Sequence, residues 1–68
     1  MQRRYCVLID WVDGEVEDTD EIAVFADSAA EAITKARKRW RLTIGVRYPT
    51  CRIVESTVLT PKLRASFA

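Results

Sequence analysis

Carboxylates are the side chains of this sequence that could most readily bind a partner. Nine acidic residues and no basic residue lie between positions 5 and 34 of the 68-residue chain. They are Asp10, Asp13, Glu15, Glu17, Asp18, Asp20, Glu21, Asp27 and Glu31. A surface that mixes both signs of charge is the ordinary case. The net charge of +1 conceals this separation, so only the arrangement of the charges carries information about function.

Six of these residues and a neighbouring tryptophan form the first candidate binding surface. Its members are Asp13, Glu15, Glu17, Asp18, Asp20, Glu21 and Trp11. Carboxylates spaced along a hairpin can occupy a basic surface whose arginines normally hold phosphates. The alternative is a solvated hairpin tip that only aids solubility. We expect Trp11 to be accessible, and we expect no metal because the run lacks the spacing of a calcium loop.

Basic residues form the second candidate surface, which is an alternative to the first. Positions 35 to 64 hold nine basic residues and one acidic residue. The candidate members are Lys35, Lys38, Arg39, Arg41, Arg47 and Arg52. This pattern is typical either of a phosphate-backbone footprint on nucleic acid or of a solvated helix face that complements the helix dipole.

The residue types argue against an enzyme. Histidine is absent, which excludes Ser-His-Asp and Cys-His catalysis and histidine-ligated metals. Cys6 and Cys51 are interpreted as buried strand residues, and a disulfide between them stays open if their strands are neighbours. Gly14 and Gly45 are too far apart to form a phosphate loop. We therefore expect no catalysis and no cofactor.

The length of the chain predicts one small domain. We assign residues 1–60 to a single α+β domain and residues 61–68 to a C-terminal tail. The chain has no apolar run approaching the ~20 residues of a membrane span and no signal-peptide core. These features predict a cytoplasmic protein that does not act at a membrane.

Two strands and an acidic hairpin are predicted before the helix. Residues 4–12 alternate in a way that places Tyr5, Val7, Ile9 and Trp11 on one face. Matching apolar with apolar positions predicts Ile9 opposite Ile22 and a second strand over residues 20–26. The Asp-Gly pair at positions 13 and 14 favours a tight turn, which fits this register only with a bulge before the second strand.

A capping box predicts the helix start, with Ser28 as N-cap and Glu31 at the third helical position. Small apolar residues and Trp40 then form the stripe that faces the sheet. The helix ends near Arg41, or it continues to Ile44 with Gly45 after it. Residues 51–59 predict the third strand.

The element order is therefore β-β-α-β, with a three-stranded antiparallel-type sheet in the order 2-1-3 and one helix packed on one face. One helix cannot cover both faces of a sheet whose central strand is apolar on each side. We expect the helix to cover the face that bears Tyr5, Val7, Ile9, Ile22 and Val24. The second sheet face includes Cys6, Leu8, Ala23 and Phe25. We expect either the tail or a second copy of the chain, as a homodimer, to cover it.

The first strand (residues 5–11), the acidic hairpin and the helix entry (residues 24–36) together resemble small proteins of phages and mobile elements. Some of these are anti-CRISPR proteins, which bind a type I surveillance complex and block its access to DNA. The helix entry also resembles the partial ribonuclease-H-like domain of some antitoxins, but that family usually has three strands before its helix. The resemblance covers residues 4–40. It implies a binding protein, acting in the host cytoplasm, whose partner is a host protein or ribonucleoprotein complex.

Overall fold

The computed structural model describes residues 2–59, which form three strands and one main helix. β1 spans Arg3–Asp13, β2 spans Val16–Ala26, α1 spans Ala29–Thr43, and β3 spans Arg52–Leu59, with a short 3-10 helix at Gly45–Arg47. The sheet order is β2-β1-β3, and β1 is antiparallel to both neighbours. The predicted fold and strand order are confirmed. The predicted tail, residues 61–68, and the boundary before it lie outside the described residues.

The core lies between α1 and one face of the sheet. Val7 and Ile9 on β1 have no solvent exposure, and Trp40 of α1 is 1% exposed. Ala32 and Ala36, on the same helix stripe as Trp40, are also fully buried. Their small side chains let the helix approach the sheet closely, and the indole fills the space at its far end. The prediction of which sheet face the helix covers is thus confirmed.

The register of the β1–β2 hairpin differs from the prediction by two residues. Ile9 lies opposite Asp20, not Ile22, which pairs with Val7 instead. The turn is a tight two-residue loop, Gly14 and Glu15, and the strands pair without a bulge. Gly14 has a φ of 63°, which a glycine at the first loop position of a type II′ hairpin turn adopts without strain. The shift of two residues preserves the faces of the strands.

Asp20 explains why matching apolar with apolar positions gave the wrong register. Its side chain is half-buried on the helix-covered face of β2. There its Oδ2 atom accepts hydrogen bonds from Trp11 Nε1 at 2.8 Å and from Trp40 Nε1 at 2.9 Å. A polar group can occupy a core-facing position when it is hydrogen-bonded in this way.

A β-bulge changes the alternation of β3. Asp10 of β1 lies opposite Glu55, whereas the next residue, Trp11, lies opposite Ile53. Val54 is therefore an extra residue on β3, and it is 60% exposed. Ile53 and Val58, which a regular strand would place on opposite faces, both pack against the core. The bulge thus reverses the face to which side chains point at the beginning of the strand, as bulges commonly do.

The N-terminus of α1 is capped as predicted. Ser28 Oγ accepts a hydrogen bond from the Glu31 backbone N–H at 3.2 Å. The Glu31 carboxylate in turn accepts from the Asp27 backbone N–H at 3.0 Å, and the Lys35 ammonium lies 3.1 Å from it. The Asp27 hydrogen bond and, secondly, Lys35 hold the pKa of Glu31 below its ordinary value, because both favour the ionised form.

The longer of the two predicted helix ends is the observed one. α1 ends at Thr43, with Ile44 as its C-cap. Gly45 follows with an ordinary negative φ, so it is not needed there for a left-handed backbone. Instead, a Cβ atom at this position would lie 3.2 Å from Trp40 Cζ3. Gly45 therefore allows the 3-10 helix to pack directly against the buried indole.

No disulfide joins Cys6 and Cys51. β1 and β3 are neighbours, but Cys6 pairs with Leu59 at the far end of β3. Cys51 precedes Arg52 at the other end of that strand. The antiparallel register therefore separates the two thiols along the length of the sheet.

Candidate functional site

Three carboxylates of the predicted acidic surface are exposed at the hairpin end. Glu15 lies in the turn, and Glu17 and Asp18 follow on β2. Because β2 is an edge strand, its beginning has a neighbouring strand on one side only. Successive residues of a strand point to opposite faces, so Glu17 and Asp18 present charge on both faces of this edge.

The hairpin end carries a shallow groove that we call the acidic groove. It has a volume of about 540 Å³, and Asp10, Glu17 and Asp18 are among its lining residues. The side chains of Asp10 and Glu17 lie on the same sheet face, whereas Asp18 lies on the opposite face, across from Trp11. The other lining residues of the groove include Val12, Thr19 and Val54, and no basic residue is among those described. The groove therefore combines negative charge with apolar surface, and Val54 reaches it because of the β3 bulge.

Asp10 occupies the middle of this surface. Thr19 Oγ1 donates a hydrogen bond to Asp10 Oδ1 at 2.6 Å. On the other side of β1, Glu55 lies directly opposite Asp10. Like charges at directly opposite positions of a sheet repel one another. A cationic partner would relieve this repulsion, so the arrangement favours contact with a basic surface.

Asp20 and Asp13 have side-chain hydrogen bonds to other elements of the fold, and Asp18 Oδ1 accepts from the neighbouring Thr19 backbone N–H at 2.8 Å. Asp20 accepts from the two indoles of the core. Asp13 Oδ1 accepts from Thr50 Oγ1 at 2.6 Å, which ties the hairpin to the loop before β3. The last of the six, Glu21, lies opposite Leu8 on the second sheet face. The structure therefore gathers Glu15, Glu17 and Asp18 at the exposed end of the hairpin.

The expectation that Trp11 is accessible is wrong. Trp11 is 3% exposed, because its ring packs between two other aromatic rings. Its centroid lies 5.5 Å from that of Trp40 and 4.7 Å from that of Tyr48. Both separations are those of interacting aromatic pairs. Trp11 supports the hairpin from beneath and offers no ring to a partner.

The predicted basic surface does not form one patch. Lys35 Nζ donates a hydrogen bond to the Phe25 carbonyl oxygen at 2.8 Å, and Arg39 donates to the Ala23 carbonyl oxygen at 2.9 Å. Both acceptors lie on β2, so these side chains cover carbonyl groups of an edge strand. Lys38 is exposed beside them, and Arg47 is exposed on the 3-10 helix. Arg41 and Arg52 line a separate groove beside β3.

Sequence reasoning left Asp10 and Arg37 out of the candidate sites. Asp10 was assigned to the first strand, and only the β1–β2 register places it beside Glu17. Arg37 is four residues before Arg41, so the helical repeat would have placed the two on one side of α1. No such signal exists for Asp10, because its partners depend on the hairpin register and on the β3 bulge.

Within residues 2–59, no three acidic or cysteine side chains come together in a way that could hold a metal ion. No helix in the described part of the chain has the length and apolar character needed to cross a membrane.

Comparisons with known proteins identify no relative. No protein-family model matches this sequence, and neither the curated proteins nor the solved structures gave a significant match. The functional conclusion therefore depends on the site itself.

Proposed function

We propose that this chain is a non-enzymatic binding protein that blocks a host nucleic-acid-handling complex through its acidic hairpin end. The observation that carries the proposal is the acidic groove, in which Asp10 and Glu17 share one sheet face beside the exposed Asp18, with no basic residue in the described lining. The same role is what the resemblance to phage and mobile-element proteins implies. The partner is a host protein or ribonucleoprotein complex in the cytoplasm.

The chemistry of such a contact is that of phosphate recognition. Arginine and lysine side chains that hold a nucleic-acid backbone also form charge-assisted hydrogen bonds with carboxylates. A row of carboxylates on a rigid hairpin can therefore occupy a surface that otherwise takes nucleic acid. The packed aromatic rings of Trp11, Trp40 and Tyr48 beneath the hairpin support this rigidity, which lowers the entropy lost on binding.

The hydrogen bonds that basic side chains form within the protein favour this proposal over direct binding of nucleic acid. Lys35 and Arg39 are bonded to β2 carbonyl groups, so a phosphate would have to compete with contacts inside the protein. The remaining members, Lys38, Arg41, Arg47 and Arg52, are spread over different elements. A nucleic-acid-binding module normally clusters its basic residues on one face.

The second sheet face offers a contact of another kind. Phe25 is 61% exposed there, whereas the acidic groove occupies the hairpin end of the sheet. A homodimer that formed through the apolar end of this face would bury Phe25. It would have to keep the two acidic grooves apart, because like charges across an interface are strongly unfavourable.

Fluorescence anisotropy with bare DNA and RNA oligonucleotides tests the proposal against its main alternative. We expect no binding by the isolated chain at moderate salt. Binding that weakens steeply as salt rises would contradict the proposal, because counterion release is the signature of contacts with phosphates.

A further inference from the structure

A groove beside β3 contains three arginines and has no role in the proposed function. It is bordered by α1, the 3-10 helix and the beginning of β3, and its volume is about 480 Å³. Arg37 and Arg41 line it from the helix, and Arg52 lines it from β3. We call it the arginine groove. Its volume lies in the range of small-molecule sites, which is roughly 300 to 1,000 Å³.

The three guanidinium groups have no partner in the described part of the chain. None of them donates a hydrogen bond or forms an ion pair there. Arg37 Nε is in addition shielded from solvent. A shielded donor without an acceptor is destabilising. Lys35 and Arg39, on the other side of the same helix, both have acceptors.

The positive charge of the groove is not balanced from within. Among the described residues its lining contains no carboxylate. Asp13, which is close in the fold, is bonded to Thr50. Three guanidinium groups without a counter-ion suit a multiply charged anion better than a single carboxylate, and their planar forks match the oxygens of a phosphate.

We propose that the arginine groove binds the phosphate group of a small phosphorylated molecule. This site is independent of the proposed function, which uses the acidic groove. The two grooves share no lining residue. The volume of the arginine groove suits a small molecule with one phosphate group rather than a long polyanion.

An NMR titration of the full chain tests the proposal by observing the arginine Nε–H resonances. The probes are inorganic phosphate, adenosine monophosphate and a single-stranded DNA oligonucleotide. We expect both small probes to shift the Arg37, Arg41 and Arg52 resonances saturably at millimolar concentration. Resonances that do not move, or that move without saturating, overturn the proposal. Tighter binding of DNA than of the nucleotide also overturns it, since the groove would then belong to a nucleic-acid footprint.

Two substitutions assign the binding to the groove, and a third serves as the matched control. Arg37→Gln and Arg41→Gln should each weaken phosphate binding by about tenfold or more, the factor expected for loss of one charge-assisted hydrogen bond. Arg47→Gln removes the same charge from outside the groove and should leave the affinity unchanged. Equal losses in all three variants would mean that only the overall charge matters, which contradicts a specific site. Arg41 is exposed, so its variant keeps the test valid if Arg37→Gln unfolds.

Discussion

The Asp20 carboxylate accepts a hydrogen bond from the Trp40 indole nitrogen at 2.9 Å, and this contact joins the hairpin to the last turns of α1. The same carboxylate oxygen accepts from Trp11 at 2.8 Å. One acidic side chain thus satisfies two buried indole donors that belong to different elements. Asp20 is for this reason part of the fold and not part of the binding surface around it.

Removal of this carboxylate should destabilise the protein. Asp20→Ala leaves two indole N–H groups without an acceptor, and we expect a loss of about 2–4 kcal/mol in the free energy of unfolding. Urea denaturation followed by tryptophan fluorescence measures it. Asp18→Ala is the matched control, because Asp18 is exposed on the same strand, and it should change stability by less than about 0.5 kcal/mol. Equal losses in both variants would contradict the structural role of Asp20.

The sequence predicted the parts of the fold that depend on local chemistry. The alternation of β1 identified the face that α1 covers, and Ser28 and Glu31 identified the start of the helix. The strand register could not be predicted, because a carboxylate at position 20 looks like a solvent-facing residue until two distant indoles are known to bond it. The β3 bulge had no local signal either.

The candidate site was predictable only as a region of charge. The exposed acids Glu15, Glu17 and Asp18 follow directly from the run of carboxylates. The contribution of Asp10 depends on the register. Which basic residues are hydrogen-bonded within the protein also depends on tertiary structure. Lys35 and Arg39 bond to carbonyl groups of an edge strand, and the helix sequence does not reveal those contacts.

Acid should weaken the cap of α1 through Glu31. The pKa of Glu31 is lowered in the folded state from its ordinary value of 4.5. Its ionised form therefore stabilises the fold above that pH, and this contribution is lost as the pH falls through the lowered pKa. We expect Glu31→Gln to be less stable than the wild type at pH 7, and the difference should shrink on acidification below 4.5. Urea midpoints measured over a pH series test this, and a difference independent of pH would argue against it.

Arg39 should protect the outer edge of β2 from pairing with other strands. Arg39→Ala exposes the Ala23 carbonyl group, and unpaired edge groups promote association between sheets. We expect this variant to self-associate more than the wild type in light scattering at equal concentration. Lys38→Ala removes the same charge from an exposed neighbour and should not. Similar association of both variants would assign the effect to net charge rather than to the edge.

Phe25 tests whether the second sheet face is covered. Phe25→Ser should lower the dimer fraction if a second copy covers this face, and the free energy of unfolding if residues 61–68 cover it. Light scattering and thermal unfolding distinguish the two cases. Val16→Ser is the control, since Val16 is 51% exposed but lies on the other face. A Phe25 variant that matches the wild type in both measurements would contradict both kinds of cover.

Quantitative affinity capture from a nuclease-treated lysate of the natural host tests most directly whether the acidic hairpin end binds the partner. Three versions of the chain are compared: the wild type, Glu17→Lys with Asp18→Lys, and Lys38→Glu with Arg47→Glu. All four of these positions are exposed, so each pair should leave the fold intact. We expect the wild type and the basic-residue variant to retain the same protein or ribonucleoprotein complex in low-salt buffer, and the acidic-residue variant to lose it. Retention by the acidic-residue variant, or loss from the basic-residue variant alone, would contradict the proposed function.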